Sequence, residues 1–318
     1  MRYFMRLPFH RPALSAGALL IASTLLGGCE VNLNTEGLSS RDTRTFKLTG
    51  QAEVVLDTFD GAIEVHSWDR NEVEVEIEKR AMEQPLIDEI KVAAEQQGNR
   101  IVVRVTGPSR TEFRGVTIGM HISPTARLRV AVPRATNLNA RSGDGSIRAE
   151  ALDGRIVLTT VDGSVTAVRL SGDIQIRTGD GSIRLDDVSG KLDLETDDGS
   201  IGIEARPTAL HAKTGDGTIR ATIDADTVMS DNWDLTTGDG SVVLTLPASF
   251  NAELDAETSD GVVRATHPQL RDVAGDDRRR GEDGDDRRER RRSLRTRMGE
   301  GGKLLRVRTG DGTIRIEH

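Results

Sequence analysis

Apolar and polar residues alternate in short runs along most of this chain, and an Asp-Gly pair separates one run from the next. In the segment Thr178-Gly179-Asp180-Gly181-Ser182-Ile183 and its surroundings, apolar residues occupy alternate positions on both sides of the pair. Alternation with a period of two is typical of strands that bury one face. Each copy of this segment therefore predicts two short strands joined by a turn at the Asp-Gly pair.

Copies of this segment recur at a fixed interval. Five consecutive copies have aspartates 18 residues apart, later copies follow at wider spacings, and an isolated copy precedes them all. The aspartates are Asp60, Asp144, Asp162, Asp180, Asp198, Asp216, Asp239, Asp260 and Asp311. A fixed short period indicates a solenoid, in which each coil completes its core only against its neighbours. We predict an all-β, right-handed, single-stranded parallel β-helix (β-solenoid) with coils of about 18 residues.

The third residue after each aspartate from Asp144 onward is apolar, which marks the inward face of the second strand. These residues are Ile147, Val165, Ile183, Ile201, Ile219, Val242, Val263 and Ile314. We interpret residues 136–270 as the repeats and 303–318 as the final coil.

The region before the repeats predicts a small α+β elaboration. Strand patterns occur at 73–77 and 101–105, and a helix is predicted between Pro85 and Gly98 from the apolar spacing of Leu86, Ile87, Ile90 and Ala94. An open end of a repeat array exposes apolar core and unpaired backbone. We therefore interpret residues 45–135 as an N-terminal capping region that contains the first coil, around Asp60.

The aspartates admit three interpretations. As structural turn residues, their carboxylates would accept backbone N–H groups, with each following glycine at a positive φ. Calcium-binding β-rolls use Gly-Gly-x-Gly-x-Asp, in which the aspartate follows its glycines, whereas here it precedes one. Acid–base catalysis needs two carboxylates in unlike environments, and identical repeats do not supply them. We favour the structural interpretation, with no metal, no cofactor and no catalytic residue.

Basic residues bracket the aspartate in alternate coils, which gives a further argument against calcium. The residues four positions after the aspartate are Arg148, Arg184, Arg220 and Arg315. The residues three positions before it are Arg141, Arg177, Lys213 and Arg308. We expect these cations to reach the carboxylates of neighbouring coils, although each exposed pair contributes under about 1 kcal/mol.

A charged insertion separates Asp260 from Asp311, which are 51 residues apart. Acidic residues predominate at 276–286 and arginines at 287–297, and almost nothing apolar is available to bury. Such a composition predicts disorder across 271–302. The insertion is interpreted as a solvated loop, with contact to anionic envelope glycolipid as the alternative.

The N-terminus has the features of an export signal over residues 1–28. Three arginines precede an apolar run that is too short for a membrane-spanning helix, and Leu26-Gly27-Gly28-Cys29 follows. Cys29 is the only cysteine in the chain, so an internal disulfide is excluded. The four residues resemble a bacterial lipobox, which implies lipidation of Cys29. Residues 29–44 are then expected to form a polar tether.

Charge and composition exclude two classes of function. The formal net charge of −8 becomes −11 once Arg2, Arg6 and Arg11 leave with the signal, so binding to nucleic acid is not expected. The chain has only one tyrosine and two tryptophans, which argues against an aromatic-lined ligand cleft.

The repeats resemble the putative adhesin domain family of bacterial envelope lipoproteins. The resemblance depends on Val130-Ala131-Val132-Pro133, Leu138-Asn139-Ala140 and the Gly-Asp-Gly-Ser-Ile repeats, and it covers residues 45–318. It implies a β-helix with a role in adhesion or envelope interaction and supplies no catalytic residues.

From these features we expect a non-enzymatic lipoprotein of the bacterial cell envelope, anchored in the outer membrane. Its repetitive face would meet a polysaccharide, a glycolipid or a partner protein. The alternative is a periplasm-facing scaffold or sensor in envelope stress.

Overall fold

The computed structural model describes residues 37–108, 123–271 and 292–318. The predicted signal, Cys29 and the first part of the tether lie outside these residues. The N-terminal elements are β1 (Leu38–Lys47), β2 (Ala52–Thr58), β3 (Ile63–Trp68), β4 (Glu72–Ala81), α1 (Gln84–Glu89), β5 (Lys91–Gln97), β6 (Arg100–Thr106) and β7 (Thr125–Pro133).

The repeats and the C-terminal elements follow in chain order. They are β8 (Thr136–Ser142), β9 (Ile147–Glu150), β10 (Asp153–Thr160), β11 (Val165–Val168), β12 (Ser171–Thr178), β13 (Ile183–Thr196), β14 (Ile201–Thr214), β15 (Ile219–Ile223), β16 (Trp233–Thr237), β17 (Val242–Thr245), β18 (Ala252–Thr258), β19 (Val262–Ala265), a 3-10 helix (Pro268–Leu270), β20 (Ser293–Met298), β21 (Leu304–Thr309) and β22 (Thr313–Glu317). The protein is therefore all-β, as predicted.

Successive coils pair in parallel with the register that the sequence period predicts. Ile156 lies opposite both Leu138 and Ile174, and Ile183 lies opposite both Val165 and Ile201. We call the strands before the Asp-Gly turns the pre-turn wall and those after them the post-turn wall. The isolated copy at Asp60 also forms a coil, because β2 pairs with β8 and β3 pairs with β9.

The core lies between the two walls and consists of the inward-facing apolar columns. The predicted column from Ile147 to Ile314 is buried throughout, with at most 5% of any side chain exposed. Trp233, the largest fully buried side chain, occupies the place that leucine takes in neighbouring coils. Its ring centroid lies 5.4 Å from that of Phe250.

The coils are not stacked in chain order at the C-terminal end. β21 pairs in parallel with β16 on one side and β18 on the other, and β22 pairs in the same way with β17 and β19. The final coil, predicted at the end of the array, therefore lies between the coils of Asp239 and Asp260. The separation of 51 residues between Asp260 and Asp311 allows the chain to come back from the coil of Asp260 to the coil of Asp239. Closure of a longer loop costs only about 0.6 kcal/mol more per doubling of its length.

The predicted disordered insertion at 271–302 is too long at its C-terminal end. Ser293–Met298 form β20, which pairs antiparallel with β18 and covers its free edge. Leu294 and Met298 are buried there. Residues 272–291 lie outside the described residues, and for them the prediction is untested.

The N-terminal end is closed by antiparallel strands. β5 pairs with β6 on the pre-turn wall, and β4 pairs with β7 and β1 on the post-turn wall. Two expectations were wrong here. The tether predicted to reach residue 44 overlaps β1, and the predicted helix is limited to Gln84–Glu89 because residues 91–97 pair with β6. β1 is largely polar, so it lacks the alternation that would have marked it.

Candidate functional site

The Asp-Gly turns form one edge of the stacked coils. Each glycine after the aspartate is needed for close approach between coils, since a Cβ atom at Gly181 would overlap the carbonyl oxygen of Gly163. The expectation of a positive φ was wrong for every one of these glycines except Gly61, at 117°. Positive φ angles occur instead at the opposite corner, for example 120° at Gly172 and 110° at Gly190.

A column of buried hydroxyl groups holds the turns, two residues before each aspartate. The Thr196 Oγ1 atom donates toward the carbonyl oxygens of Gly179 (2.7 Å) and Gly181 (3.0 Å) in the preceding coil, and it accepts the Gly199 N–H at 3.2 Å. The column comprises Thr58, Ser142, Thr160, Thr178, Thr196, Thr214, Thr237, Thr258 and Thr309, all buried. Sequence reasoning missed this role, although the invariant spacing from the aspartate was a visible signal.

The nine predicted aspartates line the turn edge with their carboxylates facing solvent, except that Asp60 is half-buried. Burial raises the pKa of Asp60 and the nearby Asp144 carboxylate raises it further, against a hydrogen bond from the Gly61 N–H. In the described part of the chain, the one salt bridge to these aspartates joins Arg292 to Asp260 at 3.1 Å. The threonine hydroxyls, rather than the carboxylates, therefore carry most of the turn hydrogen bonding.

The bracketing cations do not pair with the turn aspartates, contrary to the sequence expectation. Arg148 binds Glu150 at 3.2 Å and Arg177 binds Glu195 at 3.0 Å. Lys213 also approaches Glu195, at 3.6 Å, and Arg308 lies 3.9 Å from Glu257 and from Asp255. The partners of these cations are acids on the same wall.

The outer face of the post-turn wall carries columns of polar residues in register. One column contains Glu64, Arg148, Thr166, Arg184, Gly202, Arg220, Val243, Arg315 and Arg264. The next column outward from the turn contains His66, Glu150, Val168, Asp186, Glu204, Thr222, Thr245 and Glu317. Apart from Gly202, Val243 and the buried Val168, the two columns consist of polar residues.

Two cavities open on this wall. One, of about 500 Å³, lies over Gly202 and includes Arg184, Arg220, Asp186 and Glu204 in its lining. The other, of about 440 Å³, is lined by residues that include Glu64, His66, Arg148, Glu150 and Arg169. The second cavity has its charges paired, because Glu150 binds both Arg148 and Arg169.

A buried carboxylate stabilises the N-terminal end of the same wall. Glu78 is only 2% exposed, and its Oε1 atom accepts hydrogen bonds from Arg80 at 2.8 Å and Arg41 at 3.4 Å. Burial alone would raise the pKa of Glu78, but the two guanidinium groups outweigh it and hold the pKa below its ordinary value. This network fixes β1 against β4.

Metal-binding clusters and membrane-spanning helices are absent from the described residues. These residues contain no group of three or more His, Cys, Asp or Glu side chains placed to hold a metal ion. Within the same ranges, no helix has the length and apolar character needed to cross a membrane.

The geometry defines a class of protein: an all-β repeat protein with threonine-held turns and a polar, registered outer face. The chain belongs to the family described as Toastrack DUF4097, whose model matches residues 51–317. This match agrees with the adhesin-family resemblance seen in the repeats. The curated proteins contain no match to the chain.

Several solved structures are similar to most of the chain. A putative adhesin from Bacteroides fragilis has 12% identity and a TM-score of 0.43, with 87% of this chain and 97% of that chain covered. A putative adhesin from Parabacteroides merdae has 11% identity and a TM-score of 0.41, with 87% and 96% covered. A putative lipid binding protein from Parabacteroides distasonis has 11% identity and a TM-score of 0.37, with 87% and 97% covered.

Proposed function

We propose that this protein is a non-enzymatic lipoprotein of the bacterial cell envelope, anchored in the outer membrane through Cys29. In this proposal, the outer faces of its coils, which wind right-handedly, contact a polysaccharide, a glycolipid or a protein partner. The observation that carries the proposal is the set of polar columns on the post-turn wall. Side chains that repeat every ~4.8 Å match an extended, repetitive partner better than a single small molecule.

The aspartates support a binding role more than a catalytic one. Eight of the nine carboxylates have equivalent, exposed positions, so nothing separates an acid from a base among them. Asp60 is the exception, because burial and repulsion from the Asp144 carboxylate raise the pKa of Asp60. Neither residue lines the two cavities on the post-turn wall.

The anchor is supported by the sequence before the described residues. Leu26-Gly27-Gly28-Cys29 follows a short apolar run, and the lone cysteine stands where the small residues end. Intact-mass measurement of the membrane-extracted protein tests this assignment. We expect a mature chain that begins at Cys29 and carries acyl chains, and we expect Cys29→Ser to abolish the modification. An unmodified wild-type N-terminus would contradict the anchor.

Protease treatment of intact cells tests which side of the membrane the coils occupy. For an adhesin-like protein, we expect the protease to digest this protein in intact cells as completely as in lysed cells. Protection until the outer membrane is permeabilised would contradict surface display and would instead support a periplasm-facing scaffold or sensor. A periplasmic protein of the same cells, assayed in parallel, serves as the control for membrane integrity.

A further inference from the structure

Gly202 has no structural reason to be glycine. Its φ is not positive, and the nearest atom to an added Cβ would be the Ile183 carbonyl oxygen at 3.9 Å, an ordinary contact. It is the one glycine of the described ranges with neither a positive φ nor a clash for a Cβ. Glycine within a strand weakens the strand and often marks a place where a ligand approaches the backbone.

The missing side chain leaves a notch between two arginines. Arg184 and Arg220 lie directly opposite Gly202 on the two neighbouring coils, which places their backbones ~10 Å apart. Both side chains are exposed, and in the described part of the chain neither forms a salt bridge. Arg148, in the same column, is bound by Glu150 two residues further along its strand. In the Arg184 coil the corresponding acid is Asp186, whose side chain is one methylene shorter.

The notch has polar groups at both of its ends. Ser182, Ser200 and Thr218 supply hydroxyl groups at the turn end, and Asp186 and Glu204 supply carboxylates at the other end. The volume of about 500 Å³ is within the range of small-molecule sites. The notch therefore brings together two guanidinium groups, three hydroxyl groups and two carboxylates that can accept hydrogen bonds.

We propose that this notch binds a sugar unit that bears a carboxylate, as in a uronic acid polymer. Arg184 and Arg220 would bind the carboxylate, since guanidinium groups match its planar geometry with paired hydrogen bonds. The sugar hydroxyls would donate to Asp186 and Glu204 and accept from Ser200 and Thr218. A phosphate carries more negative charge than a carboxylate, so the two acids disfavour it. This inference rests on the proposed function, because it specifies the chemistry of the polymer partner.

Calorimetric titration of the full, mature chain with trigalacturonate tests the site. We expect binding that weakens as salt is raised and that disappears with the neutral methyl ester of the same trisaccharide. Arg184→Gln and Arg220→Gln should each weaken binding about 10-fold or more, the effect of losing a hydrogen bond to a charged group. Arg70→Gln, with the same charge change at an exposed residue that lies between β3 and β4 and outside both columns, should leave binding unchanged.

Gly202→Thr separates loss of the site from loss of the fold. Thr166 occupies the same column one coil before Arg184, so threonine fits this wall, and its strand propensity favours a stable protein. We expect an unchanged or higher melting temperature together with loss of trigalacturonate binding. Undiminished binding by this variant, equal binding of inorganic phosphate, or no binding by the wild type would overturn the proposal.

The source of the ligand is resolved by comparing galacturonate with its trimer. Tighter binding of the trimer supports a polymer. Equal binding of the monomer would keep the site but contradict the polymer partner of the proposed function. Conversely, specific trimer binding by a protein that is protected from protease in intact cells would keep the site and contradict surface display.

Discussion

From Ser142 onward, the hydroxyl side chain two residues before each turn aspartate joins its coil to the neighbouring coil of the stack. Each of these hydroxyls is buried and contacts a carbonyl oxygen of the neighbouring turn, so it carries a role that the pattern of the sequence suggests for the aspartate. The aspartates are conspicuous because Asp-Gly is a strong turn signal. A threonine at an inward strand position is expected from its strand propensity alone. Its hydrogen bonds to the turn become visible only in the three-dimensional structure.

Replacement of Thr196 by valine should therefore destabilise the protein more than replacement of Asp198 by asparagine. Valine keeps the volume of threonine but leaves the buried Gly199 N–H without its acceptor, at a cost of about 1–3 kcal/mol. Asp198→Asn removes an exposed charge that faces like charges on adjacent coils, so a change within about 0.5 kcal/mol is expected. Urea unfolding of both variants measures the difference, and a larger loss for Asp198→Asn would contradict the assigned roles.

The buried His267 should make stability depend on pH. Its side chain is 0% exposed, its Nδ1 atom accepts the Gln269 N–H, and its Nε2 atom lies 3.0 Å from the Pro247 carbonyl oxygen. Burial lowers the pKa of His267, the bond to Pro247 opposes this, and the nearby His318 lowers it further. In the unfolded chain the pKa is about 6.5, so below that pH the unfolded state takes up the proton first.

We therefore expect the melting temperature to fall as the pH is lowered from about 6.5, the unfolded-state pKa, toward the lower pKa of the folded state, and His267→Gln to reduce the slope. His211 is exposed on the pre-turn wall, and His211→Gln provides the control for replacement of a histidine by glutamine. Equal pH profiles for wild type and His267→Gln would show that this histidine does not carry the effect.

Among the elements, β20 has the clearest structural role that the sequence did not predict. Its arginines bind acids of β18, with Arg295 at 2.9 Å from Asp255 and Arg297 at 3.0 Å from Glu253, while Leu294 and Met298 pack inward. The arginine-rich composition of 287–297 predicts disorder when the segment is considered alone. The acids that neutralise it belong to a strand about 40 residues earlier, and such non-local pairing does not appear in a local pattern.

Two Gly/Ser substitutions, one of residues 272–291 and one of residues 272–302, test which part of the insertion the fold requires. Substituting residues 272–291 by a Gly/Ser linker of the same length should leave the melting temperature nearly unchanged. Extending the substitution through residue 302 removes β20, bares the edge of β18 and should lower stability and promote aggregation. Calorimetry and light scattering measure both outcomes. Equal stability of the two variants would mean that β20 does not protect this edge.

At the scale of the whole molecule, the period of the sequence predicts the register of most coils, because each Asp-Gly turn fixes where two strands begin and end. The isolated copy at Asp60, interpreted from the sequence as the first coil, pairs with the coil of Asp144, 84 residues further along the chain. The order of the last coils could not be predicted in this way. The coils of Asp260 and Asp311 have the same inward pattern, so either fits beside the coil of Asp239, and the edge strand β20 decides which one lies at the end.

The intercalated final coil makes the C-terminal residues essential for the coil that precedes them in the chain. Without 304–318, β18 and β19 would face a gap of one coil, since β16 and β17 contact them only through β21 and β22. We expect a chain truncated after residue 303 to lose hydrogen-exchange protection in β18 and β19 while β10–β13 keep theirs.

A synthetic peptide of residues 304–318, added in trans, should restore protection at β18, because both edges of the gap present unpaired backbone groups in the correct register. A peptide with Ile314→Asp and Ile316→Asp is the control and should restore nothing, since both side chains are fully buried. Full protection of β18 in the truncated chain would contradict the observed strand order.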